Sequence, residues 1–214
     1  MNQSSGSPAR SGSQRPVGRP PGASPSGIPD KLIAAAWSAL LAGDTPTVAG
    51  LCEAVPCTPP SLYHHFGSVH RLILAASERE FALFRERLAA SVATAASPED
   101  AIRRRGRAYL DWGLANPGAY RVLFMSRGVP GSQQHGGVAE GGDGLSALVD
   151  DVRAAMAAGS LGGGDPMVVA LAHWAAVHGL TSLGVCSPDV PRGVLHAALE
   201  VLADALSRPA AGSA

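Results

Sequence analysis

The chain has 214 residues, of which 46% are hydrophobic, enough for a substantial core in one or two domains. Its formal net charge is zero, which excludes a protein that binds polyanions through overall charge alone. Cys52, Cys57 and Cys186 form neither a disulfide framework nor a metal-ligand cluster, and the start MNQSSGSPAR has no apolar signal-peptide core; both features predict a cytoplasmic protein.

The first 27 residues are rich in Ser, Gly, Pro and Arg, a composition typical of a disordered segment. They contain Arg10, Arg15 and Arg19 and no acidic residue. Arg19 lies in the run RPVGRPPG, whose Gly-Arg-Pro core resembles an AT-hook, a motif that places arginine in a narrow A·T minor groove. The sequence leaves two interpretations open, a DNA-binding arm or an unstructured solubilising tail.

A first helix is predicted over residues 31–42, because its apolar residues share one face. Asp30 is its expected N-cap, and Gly43 follows its end. We expect this helix to pack across the two short helices that come next.

The stretch 47–66, TVAGLCEAVPCTPPSLYHHF, predicts two short helices separated by a tight turn. Thr47 can cap the first helix, and Pro56 must lie in the turn because it would break a helix that contained it. Thr58 offers a second N-cap, with a proline at the first helical position. The second helix is expected to bury Leu62 and Phe66 and to present its polar side chains outward: Ser61, Tyr63, His64 and His65.

The next predicted helices cover residues 68–91 and 97–114, the second starting at a Ser-Pro-Glu-Asp sequence that resembles a capping box. Four arginines lie near the start of that helix, and we expect them to be solvated or ion-paired rather than bound to nucleic acid: Arg103, Arg104, Arg105 and Arg107. A short amphipathic helix is predicted after residue 117, followed by a long loop over residues 126–143.

Three further helices are predicted, the first over residues 145–156. The run 167–186 contains no Asp, Glu, Lys or Arg, but its histidines, glycines, Thr and Ser favour a helix buried on all sides over a membrane span. Asp165 can cap it. The final helix, residues 194–206, has its apolar stripe at Val194, Leu195, Ala198, Leu202 and Leu206. We expect the last two helices to form a four-helix bundle with a second copy, as in a homodimer.

Residues 47–66 resemble the TetR family of transcriptional regulators, whose pattern is roughly T-x-x-x-[IL]-A-x-x-[AL]-G-V-[ST]-x-x-x-[LV]-Y-x-H-F. Matching positions are Thr47, Leu51, Val55, Thr58, Leu62, Tyr63, His65 and Phe66. Three positions depart from it: Pro56 replaces the turn glycine, Cys52 an alanine and Val69 a lysine. Further along, W-x-x-x-H-G within residues 172–180 and N-P-x-x-Y-R-x-x-F at 116–124 resemble one C-terminal subfamily.

The resemblance implies an all-α protein of about nine helices. Its parts are a disordered basic arm at 1–27, a helix-turn-helix DNA-binding domain at 28–75 and a regulatory, dimerising domain at 76–208. The implied DNA contacts are Thr47, Thr58, Pro60, Ser61, Tyr63, His64 and His65, together with Arg19 of the arm. Candidate pocket residues, each of which could also be plain core, are Trp112, Tyr120, Phe124, Met156, Trp174 and His178.

The predicted function is therefore a ligand-responsive transcriptional regulator, most simply a repressor, that binds a palindromic double-stranded operator as a dimer and answers to an unknown small-molecule effector. No catalytic or phosphate-binding motif occurs, so we predict neither an enzyme nor a cofactor or metal, and no membrane partner. The alternative is a helical dimer that binds small molecules or proteins and has lost DNA reading. Pro56, Val69 and the neutral net charge favour that alternative.

Overall fold

The computed structural model describes residues 27–126 and 143–207, and these residues form nine helices and no strand. The helices are α1 (Ile28–Ala42), α2 (Val48–Ala54), α3 (Pro59–Phe66), α4 (Val69–Val92), α5 (Pro98–Ala115), α6 (Pro117–Tyr120, continuing as a π-helical turn, Arg121–Met125), α7 (Asp143–Ala157), α8 (Pro166–Cys186) and α9 (Arg192–Ser207). The all-α prediction is confirmed. The predicted arm, with Arg19, and nearly all of the predicted loop 126–143 lie outside the described residues.

Three predicted helix caps, at Thr47, Ser97 and Asp165, are present as hydrogen bonds, and Ser68, predicted only as the start of its helix, caps α4 in the same way. The side chains of Thr47, Ser68, Ser97 and Asp165 each accept from a backbone N–H two or three residues further on, at 2.9 to 3.2 Å. Each bond satisfies a backbone donor that a helix N-terminus otherwise leaves unpaired. These short-range interactions fix where α2, α4, α5 and α8 begin.

The predicted cap of α1 is wrong. The helix begins at Ile28, after Gly27, so that Asp30 falls in the first turn instead of capping it. Pro29 is tolerated there because the first turn needs no backbone donor from it. In this position the Asp30 carboxylate still interacts favourably with the positive end of the helix dipole.

The buried side chains form three main clusters. The first joins α1, α2, α3 and the start of α4 around Leu32, Leu51, Leu62 and Leu72, all at most 3% exposed. The second is rich in aromatic residues and lies between α4, α5, α6, α8 and α9. The third packs α7 against α5 and α8. Helix α4 contributes to the first two clusters and so spans both parts of the chain.

Helices α5 and α8 approach closely where Gly113 faces Thr181. A Cβ built on Gly113 would lie inside 3.0 Å of Cγ2 of Thr181 and 3.2 Å from Cδ2 of Tyr120. Thr181 is fully buried, and its hydroxyl donates to the Val177 carbonyl at 2.7 Å. The crossing therefore requires glycine at position 113 for space.

Within the single chain, helix α8 is buried along one side, so the predicted burial on all sides would need the second copy that is also predicted. It is long and apolar enough to cross a membrane, the one such helix in the described part of the chain. Neighbouring helices α5, α7 and α9 cover a single stripe of it, namely Ala170, His173, Val177, Thr181 and Val185. Three helices packed on one side leave the other uncovered, and that side exposes Val168 and Leu183.

The inward stripe of α9 also differs from the prediction. Leu195, Leu199 and Ala203 face the core, whereas Val194 is 56% and Val201 67% exposed. Val194 and Leu195 are adjacent and so project about 100° apart on a helix, and packing against α8 selects Leu195. The exposed valines add a second uncovered apolar surface next to that of α8.

The arginine cluster of α5 is fully ion-paired, as predicted. Arg103 contacts Glu99 on its own helix and Glu200 and Asp204 on α9, at 2.6 to 3.1 Å. Arg105 is 9% exposed and points Nε and Nη2 at Oδ2 of Asp151 on α7, each at 2.8 Å. The other two arginines pair in the same way: Arg104 with Asp100 and Arg107 with Glu200. These pairs tie α5 to α7 and α9.

Candidate functional site

The turn between α2 and α3 is built without a left-handed residue. Val55, the C-cap of α2, has φ −122° and ψ 116°, and in the described residues positive φ occurs at glycines alone, none of them in this turn. Pro56 is exposed in the turn, and Cys57 leads from it to Thr58, the extended N-cap of α3. Thr58 holds the predicted cap position, but its side chain makes no capping hydrogen bond. Proline therefore fits a turn of this type.

One face of α3 anchors the helix and the other is open to solvent. Leu62 is fully buried and Phe66 half-buried against the first core cluster, a less complete burial of Phe66 than predicted. Tyr63 is 49% exposed, and His64 and His65 are exposed beside it. The other predicted contacts in the described residues are also accessible: Thr47, Thr58 and Pro60 are exposed and Ser61 is half-buried.

The formal charge around this surface is slightly negative. Residues 27–75 carry Lys31 and Arg71 against Asp30, Asp44 and Glu53, with their histidines neutral. Since cations on the protein supply most of the affinity for phosphates, this part of the chain can bind DNA only modestly by charge. The position where a lysine would contact a phosphate holds Val69, which instead packs against two core clusters.

A dense group of rings occupies the second core cluster. Phe84 lies 4.5 Å from the Trp112 ring and 5.2 Å from the Tyr109 ring, centroid to centroid. Phe124 lies 5.1 Å from Tyr120, and both belong to α6 and its π-helical continuation. Tilted and edge-to-face contacts of this kind add specific geometry to hydrophobic burial.

His178 is the polar centre of this aromatic core. Its Nδ1 is 3.0 Å from the Tyr109 hydroxyl and 2.9 Å from the Tyr120 hydroxyl, and Tyr120 also donates to the His178 carbonyl at 3.0 Å. Trp174, one helical turn before it, stacks on the imidazole at 4.8 Å with a 9° angle between the planes. The Tyr109 hydroxyl can donate to Nδ1 while the Tyr120 hydroxyl donates to the His178 carbonyl. Because Nδ1 then accepts a hydrogen bond, the imidazole proton lies on Nε2.

Burial keeps this network neutral. It lowers the pKa of His178 and raises the pKa of both Tyr109 and Tyr120, with the Tyr109 pKa raised well above its ordinary value. At neutral pH the three side chains therefore offer dipoles and hydrogen bonds rather than charge.

Five of the six predicted pocket residues come together in or beside this core: Trp112, Tyr120, Phe124, Trp174 and His178. Met156 does not join them and packs against the third cluster, with Trp174 between the two groups. Tyr109 and Phe84 belong to the same group of rings and are not among the predicted pocket residues. Their helical periodicity indicates burial, and nothing in the sequence indicates that Tyr109 meets His178, 69 residues away.

Metal binding has no candidate centre in the described ranges, where no group of three or more His, Cys, Asp and Glu side chains could hold an ion.

Comparison with known proteins places this geometry in context. Residues 102–206 match the family described as the tetracyclin repressor-like C-terminal domain. One similar solved structure is a regulator from Shewanella sp. PV-4 that is assigned to the TetR family, with a TM-score of 0.66 and 18% identity, covering 86% of this chain and 100% of that one. Another, from Rhodococcus sp. and assigned to the same family, has a TM-score of 0.68 and 20% identity, covering 85% of this chain and 99% of that one. The regulator FadR from Bacillus subtilis, in complex with stearoyl-CoA, is also similar, with a TM-score of 0.67 and 12% identity, covering 84% of this chain and 98% of that one. No curated protein matches the chain.

Proposed function

We propose that this chain, which belongs to the TetR family and carries that family's C-terminal domain at residues 102–206, is a cytoplasmic DNA-binding transcriptional regulator. In this proposal residues 28–75 bind an operator and residues 76–208 dimerise and bind an effector. The observation that carries the proposal is the open face of α3, where Tyr63, His64 and His65 project to solvent from a helix anchored by Leu62.

Helix α3 has the features of a recognition helix. It follows a short capped helix and a tight turn, and its exposed side chains are hydrogen-bonding groups able to reach phosphates and base edges. The Tyr63 hydroxyl suits a phosphate contact, whereas Ser61, nearer the helix N-terminus, suits a base edge. Thr47 adds a hydroxyl at the N-terminus of α2, where free N–H groups favour an anion.

The exposed apolar faces of α8 and α9 support a homodimer. Val168, Leu183, Val194 and Val201 are between 48% and 67% exposed, and small residues separate them along both helices. Pairing these faces with a second copy as a four-helix bundle would bury them. A two-fold dimer then sets two recognition helices about 34–36 Å apart, one turn of DNA, on a palindromic operator.

The aromatic core around His178 supports effector binding by a small apolar or aromatic molecule. Such a site needs mostly apolar walls and a few oriented polar groups, and the neutral His178 with its two tyrosines supplies them. The effector acts as an inducer of a repressor if it binds more tightly to a dimer whose recognition helices are wrongly spaced.

The alternative, a dimer that has lost DNA reading, draws on the negative formal charge of residues 27–75 and on Val69 packing inward. A mobility-shift assay on the upstream region of the protein's own gene separates the two. A regulator shifts a specific fragment, and its affinity falls steeply with salt in proportion to the phosphates neutralised.

Variants sharpen that assay. Tyr63→Phe removes one hydroxyl and should weaken binding to all sequences, whereas Ser61→Ala should change the preferred sequence. Arg153→Ala, at an exposed ion pair of α7, is the control and should bind as wild type. The absence of any specific shift at low salt would refute the proposal.

A further inference from the structure

Two thiols face each other inside the helix-turn-helix. Cys52 lies in the last turns of α2 and Cys57 in the turn that leads to α3. The Cys57 thiol donates to Sγ of Cys52 at 3.6 Å. Both side chains are half-buried and pack against the first core cluster.

The geometry is close to that of a covalent link. A disulfide bond is about 2.05 Å long, so the two sulfur atoms need to approach by roughly 1.5 Å. Five positions separate the residues in sequence, so closing the ring orders few additional residues. Between the two cysteines lie the end of α2 and the turn at Val55 and Pro56, which has no left-handed residue, so this short turn is the part of the backbone that can adjust.

We propose that Cys52 and Cys57 are a reversible thiol–disulfide modification site whose oxidation alters the recognition helix. The oxidant is a low-molecular-weight disulfide. The thiolate of one cysteine attacks it and releases one small thiol, and the second cysteine then displaces the other small thiol from the mixed disulfide. Two protein thiols are oxidised, one small disulfide is reduced to two thiols, and the protons of the cysteines pass to the released thiols.

The surroundings of the pair favour slow exchange over rapid attack on peroxides. Partial burial and the hydrogen bond with Cys52 raise the pKa of the Cys57 thiol, so the reduced form stays protonated near neutral pH. Because the thiolate is the nucleophile, such a thiol reacts slowly. Cytosolic disulfides are usually transient and serve sensing or catalysis, which fits a site that follows the redox state of the cell.

The link between oxidation and DNA reading is Thr58. It follows Cys57 directly and is the N-cap of α3, so pulling the two sulfurs together moves the start of that helix or the last turn of α2. This step rests on the proposed function. Displacing the helix by enough to lose one base contact weakens operator binding about tenfold or more.

The test uses the full chain carrying Cys186→Ser, because Cys186 is exposed on α8 and could cross-link two copies. The protein is equilibrated in buffers of reduced and oxidised glutathione, then alkylated and weighed by mass spectrometry. We expect an intramolecular disulfide, seen as the loss of two hydrogen atoms, which disappears in Cys57→Ser and independently in Cys52→Ala. Finding free thiols, or glutathione adducts alone, overturns the inference.

Two further measurements examine the effect on α3. Oxidised protein should bind the upstream fragment about tenfold more weakly than reduced protein, and dithiothreitol should restore binding, while Cys57→Ser should not respond. Amide hydrogen exchange of residues 61–66 should change on oxidation even without DNA. Unchanged exchange and affinity in a protein that does form the disulfide would refute the coupling. If the reduced protein binds no fragment, the proposed function fails. The mass spectra and the amide hydrogen exchange still show in that case whether the disulfide forms and whether it alters α3.

Discussion

Gly113→Ala tests the close crossing of α5 and α8. The added methyl would lie inside 3.0 Å of Cγ2 of Thr181, a separation that Cβ atoms essentially never show. Thr181 cannot turn away without losing its 2.7 Å hydrogen bond to Val177, so the helices must separate. Overpacking costs about 1–3 kcal/mol, and the better helix propensity of Ala returns about 1 kcal/mol. We expect a net loss of about 1 kcal/mol, up to about 2, and each kcal/mol lowers Tm by roughly 2–4 °C in a chain of this size.

The assay is thermal unfolding at a fixed protein concentration, since dimerisation makes Tm depend on concentration. Gly193→Ala is the matched control, because a Cβ at Gly193 meets nothing within 4 Å, and it should not lower Tm. Thr181→Ser removes the clashing methyl and keeps the hydroxyl. It should recover about 1 kcal/mol or more in the double variant with Gly113→Ala, as coupled neighbours do. A Gly113→Ala protein as stable as wild type, or a double variant without recovery, would refute this account of the crossing.

Three other predictions follow from packing and charge. Asp151→Asn leaves a buried arginine without its partner and should cost about 3 kcal/mol in chemical unfolding, whereas Asp150→Asn, in an exposed pair, should cost less than about 1 kcal/mol. Val201→Lys should convert dimers to monomers in sedimentation, while Leu41→Lys, exposed on α1, should not; a Val201→Lys dimer contradicts the proposed interface. Burial lowers the pKa of His173, so the unfolded chain binds its proton first as pH falls. Stability should drop below about pH 6.5, and His173→Gln should flatten that drop; identical pH profiles would argue against it.

The sequence predicts features that depend on near neighbours. Thr47, Ser97 and Asp165 cap their helices because each needs only a backbone N–H two or three residues away. Asp30 was misassigned because Pro29 can sit inside a first turn as readily as before one, and local propensity does not separate the two.

Long-range choices could not be predicted in the same way. In α9, Val194 and Leu195 are equally apolar, and contact with α8 decides which is buried. The grouping of Tyr109, Tyr120 and His178 joins residues 58 and 69 positions apart, a pairing that no local pattern encodes. In α8, a run without charges looks the same whether a second copy or the chain itself covers it, so the sequence alone does not show which of its sides faces the chain's own core.

Helix α4 runs unbroken for 24 residues, from Val69, which packs against the cluster that anchors the recognition helix, past Phe84 in the aromatic core to Val92. At 1.5 Å per residue its axis is about 36 Å long. The 15 residues from Phe84 back to Val69 make a lever of about 22 Å, so pivoting the helix at Phe84 by about 8° moves its start by roughly 3 Å, close to the rise between stacked base pairs, about 3.4 Å. A small repacking of Phe84 would thus move the start of α4, and the recognition helix packed on it, by about the spacing of one base pair.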